Sequence, residues 1–148
     1  MTFAFEPLLT SFAGMETEER ILREFSTLAV VGVSRHPHKA AFSVPSALQA
    51  EGFRVIPVNP EAETLLGERA YPTLSAIPEP VEVVLVFRPS EEAPAIAEEA
   101  VRIGAKALWL QLGLKSEQAR RIAEQAGLLY VEDHCMAVER ARRRISKL

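Results

Sequence analysis

At 148 residues, with 48% hydrophobic and 25% charged side chains, the chain has the size and composition of one soluble globular domain. A formal net charge of −3 and a single cysteine, Cys135, argue against a nucleic-acid binder, an internal disulfide and a cysteine-built zinc site. No apolar run reaches the ~20 residues of a membrane helix, so the expectation is a cytoplasmic protein without membrane or nucleic-acid partners.

Residues 1–14 are partly apolar, but Glu6 and Pro7 interrupt them and no basic cluster precedes them. That predicts an N-terminal arm ahead of a domain spanning 15–148, and not a secretory signal. Met15 to Phe25 then reads as a helix, with Glu16, Glu18 and Glu19 near its positive end and Ile21, Leu22 and Phe25 at helical spacing. Leu28 to Val33 is the first strand. Ser43 is placed to cap a second helix that runs to about Glu51, with Pro45 in its first turn and Gly52 at its end. Arg54 to Val58 is the second strand, although Pro57 inside it lacks an amide donor. Arg69 to Tyr71 reads as a short edge strand, and Val81 to Phe87 as a strand buried on both faces. A helix from Glu91 to Ile103, a strand from Lys106 to Gln111 and a helix from Ser116 to Ala126 follow, the helices stopped by Gly104 and Gly127. Leu128 to Val131 completes the strands and Ala137 to Ile145 is the last helix.

Short β-branched runs alternating with helices predict an α/β fold: one Rossmann-like, doubly wound, mainly parallel sheet of five or six strands. Right-handed crossovers set the first strand beside the Val81–Phe87 strand, and ligands of such sheets bind outside the carboxyl ends at that switch point. Three loops meet there. One runs from Gly32 through Val33, Ser34 and Arg35 to Lys39, a second is Asn59-Pro60, and the third is Arg88-Pro89-Ser90.

The first loop leads from a strand into a helix, so free amides and a positive helix end suit it to phosphate, with Arg35, Lys39 and Arg88 supplying cations. Arg88 follows a buried strand directly and should be held more firmly than the two loop cations, unless it pairs with Glu91 or Glu92. An NAD site is disfavoured: Gly32 stands alone where G-x-G-x-x-G is required, and Asn59 replaces the acid that would hold the ribose hydroxyls. There is no G-x-x-x-x-G-K-[ST] loop. His36, His38 and His134 read as surface residues without a metal, and His134 and Cys135, being adjacent, do not aim their side chains at each other as a nucleophile and base must. Arg140, Arg142, Arg143 and Arg144 read as a solvated run at a helix C-terminus. Trp109 and Leu110 are core candidates.

Three stretches carry a family resemblance: Ala29–Ser34 through Val58-Asn59-Pro60, Val86–Glu92, and Ala105–Gly113. Together they resemble the stand-alone CoA-binding proteins, similar to the N-terminal CoA-binding domain of the succinyl-CoA synthetase alpha subunit and of ADP-forming acyl-CoA synthetases. The resemblance implies that Gly32, Val33 and Ser34 approach the phosphates and that Arg35, Lys39 and Ser43 complete the first loop. It further implies that Asn59-Pro60 occupies the place of a Thr-Pro turn and that Phe87, Arg88 and Pro89 lie against the cofactor. The first loop is longer and more basic than in the synthetases. Those enzymes also need a phosphohistidine domain and a partner subunit, for which this length has no room. The expected function is therefore non-catalytic binding of coenzyme A or an acyl-CoA, as a sensor, carrier or regulatory module, in a homo-oligomer or with an unidentified protein partner. The alternative is a small NAD(P)- or CoA-dependent enzyme using the same crevice.

Overall fold

The computed structural model describes residues 14–148; all of the expected N-terminal arm except Gly14 lies outside the described residues. In chain order the elements are α1 (Thr17–Glu24), β1 (Thr27–Val31), α2 (Ala40–Ala50), β2 (Arg54–Val58) and a small hairpin of β3 (Thr64–Leu65) and β4 (Glu68–Arg69). After them come β5 (Val83–Val86), α3 (Ala93–Arg102), β6 (Ala107–Leu110), α4 (Glu117–Gln125), β7 (Leu129–Val131) and α5 (Met136–Arg142). Five strands form one sheet in the order β2-β1-β5-β6-β7, with every pairing parallel. The α/β, Rossmann-like expectation holds.

The two-residue period of the strands divides the core in two. Leu28, Val30, Val83, Leu85 and Trp109 face α1, α2 and α5, where they meet Ile21, Leu22, Val44, Leu48 and Met136. Ala29, Val84, Val86, Leu108 and Leu110 face α3 and α4. Those two helices press mainly alanines on the sheet, Ala93, Ala97 and Ala100 from one and Ala119 and Ala123 from the other, so their backbones come close. Trp109 is fully buried and its indole N–H donates to the His134 carbonyl at 2.8 Å, which pins the chain between β7 and α5. β5, buried at all four positions, is the central strand and lies directly beside β1.

Several boundaries differ from the expectation, each for a local reason. β1 ends at Val31 because Gly32 takes a φ of +93°, which turns the chain out of the sheet. The segment expected as a strand over Arg69–Tyr71 is split: Arg69 belongs to the hairpin, while Tyr71 bridges singly to Val58 on the sheet edge. That bridge also explains Pro57. Its carbonyl accepts from Tyr71 N–H at 3.0 Å, on the side away from β1. The missing amide proton of Pro57 therefore falls on the outer edge and costs the β1–β2 ladder nothing.

α2 begins three residues earlier than Ser43. Lys39, with extended φ/ψ of −89° and 144°, is the N-cap, so Ser43 lies inside the helix with its amide bonded to the Lys39 carbonyl. Pro45 consequently sits in the helix interior and not in its first turn. A proline there leaves the carbonyl four residues back without its helical donor, in this case that of Ala41. The backbone N–H of Ser34 fills the vacancy at 3.1 Å. The helix defect is thus the anchor of the loop that follows β1.

The arginine run is not simply solvated. Arg143 and Arg142 both pair with the buried Glu139, Arg143 reaches Glu16 at 3.1 Å, and Arg140 reaches Glu51 at 3.5 Å. These pairs tie α5 to the start of α1 and the end of α2.

Candidate ligand-binding cleft

β1 and β5 are neighbours whose following connections go to opposite faces of the sheet, so a crevice opens at their carboxyl ends. It holds a cleft of about 750 Å³. Gly32, Val33, Ser34, Arg35 and Lys39 line it from the first loop, Asn59 and Pro60 from the second, and Phe87 and Arg88 from the third. Ser43 does not line it, because the early start of α2 carries that residue to an exposed position a turn beyond the helix start. Pro89 does not line it either; exposed, it starts the 3-10 turn Ser90–Glu92, where its carbonyl accepts from Glu92 N–H at 2.9 Å.

The first loop is braced from within. Gly32 N–H bonds to the Val58 carbonyl at 3.1 Å, Ser34 N–H to Ala41, and the Ser34 hydroxyl oxygen accepts from His36 N–H at 3.0 Å. Among the described residues, the N–H groups of Arg35, Ala40 and Ala41 have no protein acceptor. The last two belong to the first turn of α2, where the helix dipole is positive. Gly32 also admits Arg88: a side chain at position 32 would place its Cβ 2.9 Å from Arg88 Cδ and 3.2 Å from the Phe87 carbonyl oxygen.

The second loop is fastened to the first by Asn59. Its Nδ2 donates to the Val33 carbonyl at 3.0 Å and its Oδ1 accepts from Glu61 N–H at 2.7 Å. The Glu61 carbonyl in turn accepts from Arg35 Nη2 at 3.3 Å.

Arg88 is already engaged. Its Nε and Nη2 hold the two carboxylate oxygens of Glu92 at 3.1 and 2.7 Å, which keeps the Glu92 carboxyl below its ordinary pKa. Lys39 and Arg35 have no ion-pair partner among the described residues. The alternative named from the sequence therefore applies to Arg88, which is paired with Glu92, one of the two acids suspected, while the two loop cations have no ion pair among the described residues.

The far wall was not legible in the strand-end loops. Pro72, Thr73 and Leu74 line it because the Tyr71–Val58 bridge draws that segment alongside the end of β2, and Ile96 and Glu99 reach it from α3. Glu99 is committed there, accepting from the Ser75 hydroxyl at 2.9 Å and the Ser75 N–H at 3.1 Å. Pro57 was the available sign, since a proline on an edge strand leaves its outward carbonyl for a neighbour. His36 also lines the cleft, whereas His134 and Cys135 do not. His134 faces the other way, its Nδ1 2.7 Å from the Glu132 carbonyl oxygen and its Nε2 3.6 Å from Glu18. No cluster of histidine, cysteine and acidic side chains among the described residues is arranged to hold a metal ion. No helix among them is long and apolar enough to cross a membrane.

Fold and cleft together define a Rossmann-like domain with a phosphate-suited mouth at its switch point. The family model described as a CoA binding domain matches residues 26–141, and the chain belongs to that family. An uncharacterized Bacillus subtilis protein, YneT, is 37% identical over 123 residues, covering 83% of this chain and 91% of its own. A solved structure of a hypothetical protein from Pyrococcus horikoshii is 34% identical with a TM-score of 0.83, covering 87% of this chain and 92% of that one. Acetate–CoA ligase (ADP-forming) II of Archaeoglobus fulgidus is 30% identical over 100 residues, which are 66% of this chain and 15% of the ligase.

Proposed function

We propose that this protein binds coenzyme A, free or acylated, in the cleft between β1 and β5, and acts as a binding module in the cytoplasm without chemistry of its own. The observation that carries the reading is the division of the cleft. Arg35, Lys39 and the open amide of Ala41 bring positive charge to the first-loop side, while Pro72, Leu74 and Ile96 bring apolar surface to the far wall, alongside Thr73 and Glu99. Coenzyme A divides the same way, into phosphates and a long, weakly polar remainder. Gly32, Val33 and Ser34 would floor the phosphate end, with Phe87 and Arg88 at its side. Two of the three acids that line the cleft support the binding-only role, Glu92 being held by Arg88 and Glu99 by Ser75, while the carboxylate of the third, Glu61, has no ion pair among the described residues.

Calorimetric titration with coenzyme A and with NAD tests the assignment. Clear heats with coenzyme A and weak or absent ones with NAD are expected. Equal or reversed affinities on a folded sample would return the site to the dinucleotide class.

A further inference from the structure

We infer that Asn59 serves ligand binding as a positioning residue: it holds Arg35 in place through Glu61, its carboxamide bonded to the protein at both ends and not to the ligand. The inference rests on the reading of the cleft as the coenzyme A site.

The carboxamide of Asn59 is bonded at both ends, as donor to Val33 and as acceptor from Glu61, and its own backbone N–H is bonded to the Tyr71 carbonyl at 2.9 Å. The next bond, from Arg35 Nη2 to the Glu61 carbonyl, returns to the first loop two residues beyond Val33. Val33, Asn59, Glu61 and Arg35 therefore close a ring that joins the two loops. Arg35 is exposed and has no ion pair among the described residues, so this carbonyl is what holds its guanidinium at the cleft.

Residue type is fixed by the same ring. One side of the Asn59 side chain faces an acceptor, the Val33 carbonyl, and the other faces a donor, the Glu61 N–H, so the position needs a donor and an acceptor on one short planar group. Aspartate would set a carboxylate oxygen against the Val33 carbonyl at the distance now spanned by a hydrogen bond of 3.0 Å. The acid that grips ribose in dinucleotide-binding sheets is thus excluded here by the loop's own architecture. Position 59 selects against NAD by what it must do for the protein.

Asn59 is the only asparagine in the chain, so selective ¹⁵N labelling gives one side-chain amide to follow. Coenzyme A and inorganic pyrophosphate are titrated into wild-type protein, Asn59→Asp, Arg35→Ala and the double variant. Asn59→Asp should weaken coenzyme A about five- to tenfold in the wild-type background, the scale of one lost hydrogen bond to a charged partner, and about twofold or less once Arg35 is gone. NAD affinity should not rise in Asn59→Asp. In Arg35→Ala, whose change is at the surface, the ligand-induced shift of the Asn59 side-chain signals should be smaller than in wild type.

Independent, additive losses, a gain of NAD affinity, or ligand shifts of the Asn59 amide as large in Arg35→Ala as in wild type would each overturn the inference. A ligand-free measurement separates it from the coenzyme A reading. ¹⁵N relaxation of Arg35 Nε should show order in wild type and fast motion in Asn59→Asp, with Arg88→Ala unchanged from wild type. If neither ligand binds, the coenzyme A reading falls while the motion of Arg35 still decides the role of Asn59.

Discussion

Replacing Gly32 by alanine tests how the turn out of β1 shapes the cleft. The backbone at φ +93° is a conformation that costs an L-residue about 1–2 kcal/mol. The added Cβ would meet Arg88 Cδ at 2.9 Å, Arg88 Cγ at 3.3 Å and the Phe87 carbonyl oxygen at 3.2 Å. The arginine stem can move, but Phe87 continues the central strand, with its N–H bonded to the Val31 carbonyl at 2.9 Å, and cannot yield cheaply. Overpacking of this kind costs about 1–3 kcal/mol. Reduced freedom of the unfolded chain returns roughly 0.4–1 kcal/mol. The net expectation is a loss of about 2–3 kcal/mol, which lowers the melting temperature by about 6–10 °C for a domain of this length. Thermal and urea denaturation read it directly. Gly104→Ala is the control, because its φ is also positive, at +78°, but nothing lies within 4 Å of the added atom. It should lose only the backbone share. In an Arg88→Ala background, which removes Cγ and Cδ, Gly32→Ala should recover part of its cost. Equal losses at Gly32 and Gly104, or no relief from Arg88→Ala, would refute the packing argument.

Pro45→Ala restores a helical donor to the Ala41 carbonyl and sets it in competition with Ser34 N–H. Amide exchange at Ser34 should accelerate and coenzyme A affinity should fall a few-fold, with thermal stability unchanged or raised; an unaltered Ser34 exchange rate would disprove the anchoring role. Arg88→Ala should weaken coenzyme A by about two- to tenfold, because the guanidinium must be shared with or released from Glu92, an exposed pair worth roughly 0–1 kcal/mol. Arg88→Lys should recover part of that loss, and an unchanged isotherm would confine Arg88 to pairing with Glu92. At acid pH the informative pair is Arg54 with Glu79, bonded at 2.8 and 3.0 Å, which holds the Glu79 carboxyl below its ordinary value near 4.5. The unfolded chain then takes up the proton first, so this stabilisation is present above the ordinary glutamate range and fades as pH falls through the lowered folded value. Wild type should exceed Glu79→Gln in stability at pH 7 and converge with it toward pH 3; a gap that persists at low pH would contradict the assignment.

By itself the sequence determined the alternation of strands and helices, because period-2 and helical apolar patterns are local and survive without knowledge of neighbours. The strand order around β1 and β5 followed, since right-handed crossovers leave few topologies, and with it the three loops that meet at the cleft. The family was also legible, in short motifs spread over most of the chain. Only the tertiary structure decided what spans distant segments. It shifted the start of α2 to Ala40, because the free carbonyl left by Pro45 is satisfied by Ser34 from outside the helix. It supplied the far wall of the cleft, because Tyr71 pairs with an edge strand thirteen residues upstream in the chain. And it sorted the cations, pairing Arg88 with Glu92 while leaving Arg35 and Lys39 without an ion pair among the described residues, since which charge finds which depends on side-chain directions that spacing along the chain does not set.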